Sequence, residues 1–175
     1  MQDHNRPSIF EQTILPHLDA AYNLARWLTR NDADAEDVVQ EAFLRAFKFF
    51  GNFRGGDSRS WLLTIVRNTC YTWRQQNKIK GSTTVFDEEI HGTEIDVSNP
   101  ETILLENLNA KLLKDALETL PIEYREVLVL RELEGFSYKE IANVVDIPLG
   151  TVMSRLTRAR KQLQQRLTGY PEKEN

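Results

Sequence analysis

The chain predicts an all-α protein: two small helical domains joined by a flexible acidic linker, the second a helix-turn-helix domain. Three observations carry this. Apolar residues recur three and four apart through most of the sequence, the period of an amphipathic helix. No stretch alternates apolar and polar residues long enough to mark a strand. Residues 81–100, GSTTVFDEEIHGTEIDVSNP, lose the helical period and are too long for a structureless loop inside one compact domain. The expected division is 1–80 for the first domain, 81–100 for the linker and 101–175 for the second domain.

Each element has its own signal. Ile9, Phe10, Ile14, Leu15, Leu18, Tyr22 and Ala25 trace a first helix ending near Leu28. A second starts after Asn31-Asp32, where Asn can cap and Asp34, Glu36 and Asp37 favour the positive end of the helix dipole. Its apolar stripe is Val38, Ala42, Phe43, Ala46 and Phe47. Gly51 to Gly56 reads as a loop, and a third helix from near Ser58 buries Trp61, Leu62, Ile65, Val66 and Thr69 or Cys70. Beyond the linker, Leu104, Leu105, Leu108, Leu112, Leu113 and Leu117 follow one helix. Pro121 suits the first turn of the next, whose core face is Val127, Leu128 and Leu130.

The last segment is the most informative. Ser137 and Glu140 form a capping box ahead of Ile141, Ala142 and Val145. Ile147-Pro148-Leu149-Gly150 then breaks the helix, and Thr151 can cap another. That helix buries Val152, Leu156, Ala159 and Leu163, which leaves Ser154, Arg155, Arg158 and Lys161 outward. Two short helices with a basic, acid-free second member have the layout of a helix-turn-helix, whose second helix enters the DNA major groove.

The net charge of −4 conceals strong segregation. Residues 45–80 carry eight Lys and Arg against Asp57 alone, residues 81–107 are acidic with no Lys or Arg, and residues 155–166 are again purely basic. Two basic patches can each meet phosphates, and the acidic stretch between them can compete with DNA in the free chain. No apolar run is long enough to span a bilayer, the N-terminus lacks a signal-peptide layout, and the single cysteine leaves no internal disulfide. These features place the chain in the cytoplasm. His4, His17 and His91 have no metal-ligand spacing, and no phosphate loop or nucleophile elbow appears. No enzyme activity and no cofactor are expected. Cys70 reads as core.

The order of these motifs resembles the bacterial RNA polymerase sigma factors of the extracytoplasmic-function type, which keep two helical domains. Asp34-Ala35-Glu36-Asp37-Val38-Val39-Gln40-Glu41-Ala42-Phe43 is similar to the family's polymerase-binding helix. Phe53-Arg54 and Ser60-Trp61-Leu62-Leu63-Thr64-Ile65-Val66-Arg67-Asn68 resemble its promoter-melting segment. Leu120-Pro121, Leu130-Arg131-Glu132, Pro148-Leu149-Gly150-Thr151-Val152 and Ser154-Arg155-Leu156 resemble its minus-35 domain. Thr72 stands where many relatives have aspartate, and Met153 where many have lysine. The first departure bears on minus-10 preference, and the second removes one phosphate contact.

The resemblance assigns a role to each patch. Asp37, Gln40, Glu41 and Arg45 share one side of a helix and would meet polymerase. Asn52, Phe53 and Arg54, with Arg67, Asn68, Tyr71 and Arg74 on one outward face, would take the melted minus-10 element. Thr151, Ser154, Arg155, Arg158 and Lys161 would read the minus-35 duplex. The implied partners are core RNA polymerase, promoter DNA and an anti-sigma factor, in a stress or envelope response. A monomer is expected. The alternative is a conventional helix-turn-helix transcriptional regulator.

Overall fold

The computed structural model describes residues 6–79 and 100–169. Every regular element among them is helical. The linker and the competition expected of it lie outside the described residues.

The first predicted helix is divided. Pro16 has no N–H to donate and sits in a 3-10 turn, Leu15–His17, between α1 (Arg6–Ile14) and α2 (Leu18–Thr29). α2 ends at Arg30, whose φ of 62° is left-handed and whose amide donates to the Arg26 carbonyl at 2.9 Å. Asn31 then caps α3 (Asp32–Phe49), accepting the Asp34 amide at 3.0 Å. α4 (Ser58–Ile79) starts behind Asp57, whose carboxylate accepts the Ser60 amide at 3.1 Å.

α2, α3 and α4 pack on one another, and α1 lies against α4. Their core is Leu24, Leu28, Val38, Ala42, Ala46, Leu62, Leu63, Val66 and Cys70. The expected stripe on α3 frays at one edge. Phe47 is 43% exposed and offers its edge to Phe10, 5.3 Å away. Cys70 is fully buried, and burial followed by the Glu126 carboxylate pushes its thiol up to about 12.

The second unit comprises α5 (Pro100–Thr119), α6 (Ile122–Leu128), α7 (Tyr138–Val145) and α8 (Leu149–Thr168). Pro121 is the N-cap of α6 rather than a first-turn residue. α6 runs into a π-helical turn, Val129–Leu133. Among the described side chains of α5, Ala116 and Leu117 are buried, while Leu108, Leu112 and Leu113 are exposed.

α7 opens on the complete capping box, with Ser137 accepting the Glu140 amide at 3.1 Å and Glu140 accepting the Ser137 amide at 3.0 Å. Ser137→Ala is expected to cost about 1 kcal/mol of stability, read from thermal or urea unfolding. A change below a few tenths would mean the cap contributes nothing here.

The two units also touch. α4 packs on α7, and α2 packs on α6. Among the described residues, no helix is long and apolar enough to cross a membrane, and no group of three or more His, Cys, Asp or Glu could hold a metal ion.

Candidate nucleic-acid interface

α8 owes its orientation to Val152, Leu156 and Ala159, all buried, and to its packing on α6 and α7. This anchoring leaves Met153, Ser154, Thr157, Arg158 and Lys161 exposed in a row with no acid among them. Arg158 makes no hydrogen bond or ion pair among the described residues, whereas Arg160 is held by Glu132 at 3.0 Å. Arg166 donates to the Thr119 carbonyl at 3.2 Å.

Two details differ from expectation. Pro148, not Thr151, is the N-cap, and the Thr151 amide already donates to the Pro148 carbonyl at 3.0 Å. Pro148 holds the extended conformation of an N-cap, with ψ of 150°, and its carbonyl accepts the Thr151 and Val152 amides, so the helix starts before Thr151. Arg155 is half-buried beside the Glu126 carboxylate instead of fully outward.

The loop before α4 is an aromatic platform. Phe53 stacks on Phe50 at 5.9 Å and meets Trp61 at 5.3 Å, while Phe50 meets the edge of Phe10 at 5.3 Å. Phe53 is thus half-buried, and Asn52 and Arg54 beside it are exposed. Gly55 and Gly56 follow with φ of 87° and 92°, values that residues with a Cβ rarely adopt. They let the chain turn sharply into α4.

The expected outward face of α4 is corrected. Only Asn68 is exposed; Arg67, Tyr71 and Arg74 are half-buried. Arg67 donates to both carboxylate oxygens of Glu126 on α6, at 3.0 and 3.3 Å, and lies 3.9 Å above the Tyr71 ring. Glu126 itself has 0% exposure. Burial disfavours the Arg67 cation, but the Glu126 carboxylate outweighs that and holds its pKa above the usual value. Burial lifts the Glu126 carboxyl above its ordinary range, with Arg67 pulling the other way. Neighbouring Arg125 is buried as well, and burial together with Arg30 and Arg74 lowers it to about 10. The physical reason for the correction is that helical spacing tells which residues share a face, not whether another domain covers it.

On α3, Asp37, Gln40 and Glu41 are exposed and Arg45 is half-buried, bonded to Glu41 at 2.6 Å and within 3.5 Å of the Thr69 hydroxyl. Gln40 also borders a shallow groove of about 590 Å³ between α2 and α3, lined by Leu18, Tyr22, Asn23, Glu36 and Val39. Sequence reasoning missed the α2 side of this groove. The exposure of Leu18 (41%) cannot be read from a stripe that assigns it to the core.

This geometry has close counterparts. The family description Sigma-70 region 2 matches residues 13–79, and Sigma-70, region 4 matches residues 110–163. The chain is 35% identical over 162 residues to the ECF RNA polymerase sigma factor SigE of Mycolicibacterium smegmatis, covering 92% of this chain and 62% of that protein. It therefore spans less than two thirds of that relative's length. It is 37% identical over 141 residues to the ECF RNA polymerase sigma-E factor of Escherichia coli K12, covering 77% of this chain and 74% of the relative. Among solved structures it is similar to the sigma factor RpoE in complex with the anti-sigma factor NepR from Bartonella quintana, with TM-score 0.73, 32% identity and coverage of 91% and 96%. It is also similar to CnrH in complex with the cytosolic domain of CnrY, with TM-score 0.66, 25% identity and coverage of 93% and 89%. The two family matches fall on the two helical units in order, and with these relatives they show that the chain belongs to the extracytoplasmic-function family of RNA polymerase sigma factors.

Proposed function

We propose that this protein directs promoter-specific transcription initiation by RNA polymerase, with no catalytic activity of its own, in the cytoplasm. The observation that carries the reading is the acid-free exposed row on α8, anchored by Val152, Leu156 and Ala159, in one chain with the aromatic loop and basic helix of the first unit. Residues 1–80 would bind polymerase and the minus-10 element, 81–100 would tether, and 101–175 would bind the minus-35 element. Asp37, Gln40, Glu41 and Arg45 would form the polymerase contact. Asn52, Phe53 and Arg54, with Arg67, Asn68, Tyr71 and Arg74, would take melted DNA. Ser154, Arg155, Arg158 and Lys161, with Thr151, would meet the minus-35 duplex. The RpoE and CnrH structures each hold a second protein, NepR and CnrY, and an anti-sigma factor is proposed to restrain this chain too, in a stress or envelope response.

Adding the purified chain to core polymerase tests this. Initiation is expected on templates carrying the cognate promoter and not on scrambled ones. Specific duplex binding without any effect on core polymerase would instead favour a conventional regulator. Within that frame, Arg158→Ala is expected to cost about 1–3 kcal/mol in discrimination between cognate and scrambled duplexes. Equal weakening on both duplexes would make Arg158 a phosphate contact.

A further inference from the structure

The exposed residues of α8 near its start fall in two adjacent pairs four positions apart, Met153-Ser154 and Thr157-Arg158. Helical spacing sets Met153 beside Thr157 on one line and Ser154 beside Arg158 on the next. The second line is polar and ends on the Arg158 cation. The first line is apolar in effect. Met153 is 50% exposed. The Thr157 hydroxyl donates to the Met153 carbonyl at 3.0 Å, so its proton is spent on the helix and Thr157 adds a methyl group without a donor. Arg160, further along the same flank, has its charge held by Glu132 at 3.0 Å.

A half-exposed methionine at this place suits one kind of base edge. Each base pair shows the major groove its own pattern of donors and acceptors, and thymine alone adds an apolar group, its C5 methyl. The thioether has no donor and only a weak acceptor, so it has almost nothing to offer a polar base edge. Its rotatable bonds and polarisable sulfur let it follow a methyl group closely. Against guanine or cytosine it would cover polar atoms without pairing them, which costs free energy. Met153 therefore favours thymine both by what it covers and by what it leaves unpaired elsewhere.

We propose that Met153, with the Thr157 methyl beside it, is a specificity-determining residue that reads the C5 methyl of a thymine in the major groove of the minus-35 duplex, while Ser154 and Arg158 take the polar edges alongside. The loss of a cation at this position is then also the gain of a base reader. This rests on reading α8 as the helix that enters the duplex.

For the test, the full-length chain selects sites from randomised duplexes, alone at low salt and again with core polymerase. Each thymine of the selected site is then replaced by uracil, which removes the methyl and keeps the base pairing. The wild-type chain is expected to lose affinity about fourfold at one of these thymines, the worth of one buried methyl group. Met153→Ala is expected to shrink that difference below about twofold. Met153→Leu, apolar and of similar volume, is expected to keep most of it. Met153→Lys is expected to bind more tightly at low salt, to ignore the methyl and to steepen the salt dependence by about one phosphate contact. A selected site with no thymine overturns the proposal, as does equal wild-type affinity for every uracil-substituted form. A Met153→Ala chain that keeps the full uracil penalty overturns it too. Initiation from the selected site is scored with core polymerase. Uracil discrimination without initiation would refute the sigma function and leave the role of Met153 standing, whereas enrichment of no sequence in either setting would overturn both.

Discussion

Changing Asp37 to arginine together with Gln40 to alanine is expected to abolish assembly with core RNA polymerase and leave the fold intact. Both side chains are exposed on α3, opposite the buried Val38, Ala42 and Ala46, so neither substitution touches the core. Truncating one partner of a desolvated charge pair at an interface costs about 2–5 kcal/mol or more, and reversal adds repulsion. Such a loss weakens binding by roughly 30-fold to several thousandfold. Gln40 also borders the groove against Leu18 and Tyr22, so its loss removes a contact at the edge of an apolar trough. A pull-down with core enzyme is the measurement. Undiminished capture by a folded double variant would remove α3 from the polymerase interface.

Leu156→Ala is expected to destabilise the second domain by about 2–5 kcal/mol, the usual cost of truncating a buried leucine. Leu156 is 1% exposed and is one of three residues fixing α8 to its neighbours. A helical domain this small has about 3–5 kcal/mol to lose, so the variant should sit near half unfolded or beyond. Duplex binding should fall with it. Met153→Ala, three residues earlier and 50% exposed, should change stability by less than about 0.5 kcal/mol. Thermal unfolding of both variants decides the matter, and equal midpoints would mean that α8 is not held by its apolar face.

Local features were legible in the sequence. Asn31 and the Ser137–Glu140 box are caps, and a cap needs only neighbouring residues to declare itself. Pro16 was an equally local signal, but the continuous apolar stripe from Ile9 to Ala25 hid the break that its missing N–H makes in the first helix. Burial was harder to read where a helix has neighbours on more than one side. α4 packs on α2, α3 and α7, so Leu63 is buried as fully as Leu62, although a one-sided stripe omits it. Glu126 was illegible for a related reason. A glutamate in the run Tyr124-Arg125-Glu126-Val127 reads as solvated until a distant arginine is known to cover it. Of the candidate DNA residues on α8, Ser154, Arg158 and Lys161 are exposed as their spacing suggested, whereas Arg155 is half-buried because α6 lies beside it. Those of α4 could be named but not placed, since their covering comes from residues about sixty positions away.

A side chain that answers to two partners is not free to change for either. Arg67 holds Glu126 of the second unit and is one of the residues proposed to meet promoter DNA. A lineage that altered its promoter preference at Arg67 would at the same time leave the buried Glu126 without its partner. Asn68, exposed one position along, accepts from Arg67 at 3.5 Å but makes no hydrogen bond to the second unit among the described residues. Promoter preference along α4 should therefore diversify at Asn68 before Arg67, and paralogous copies in one cell could diverge in what they transcribe while keeping the contact between their two units.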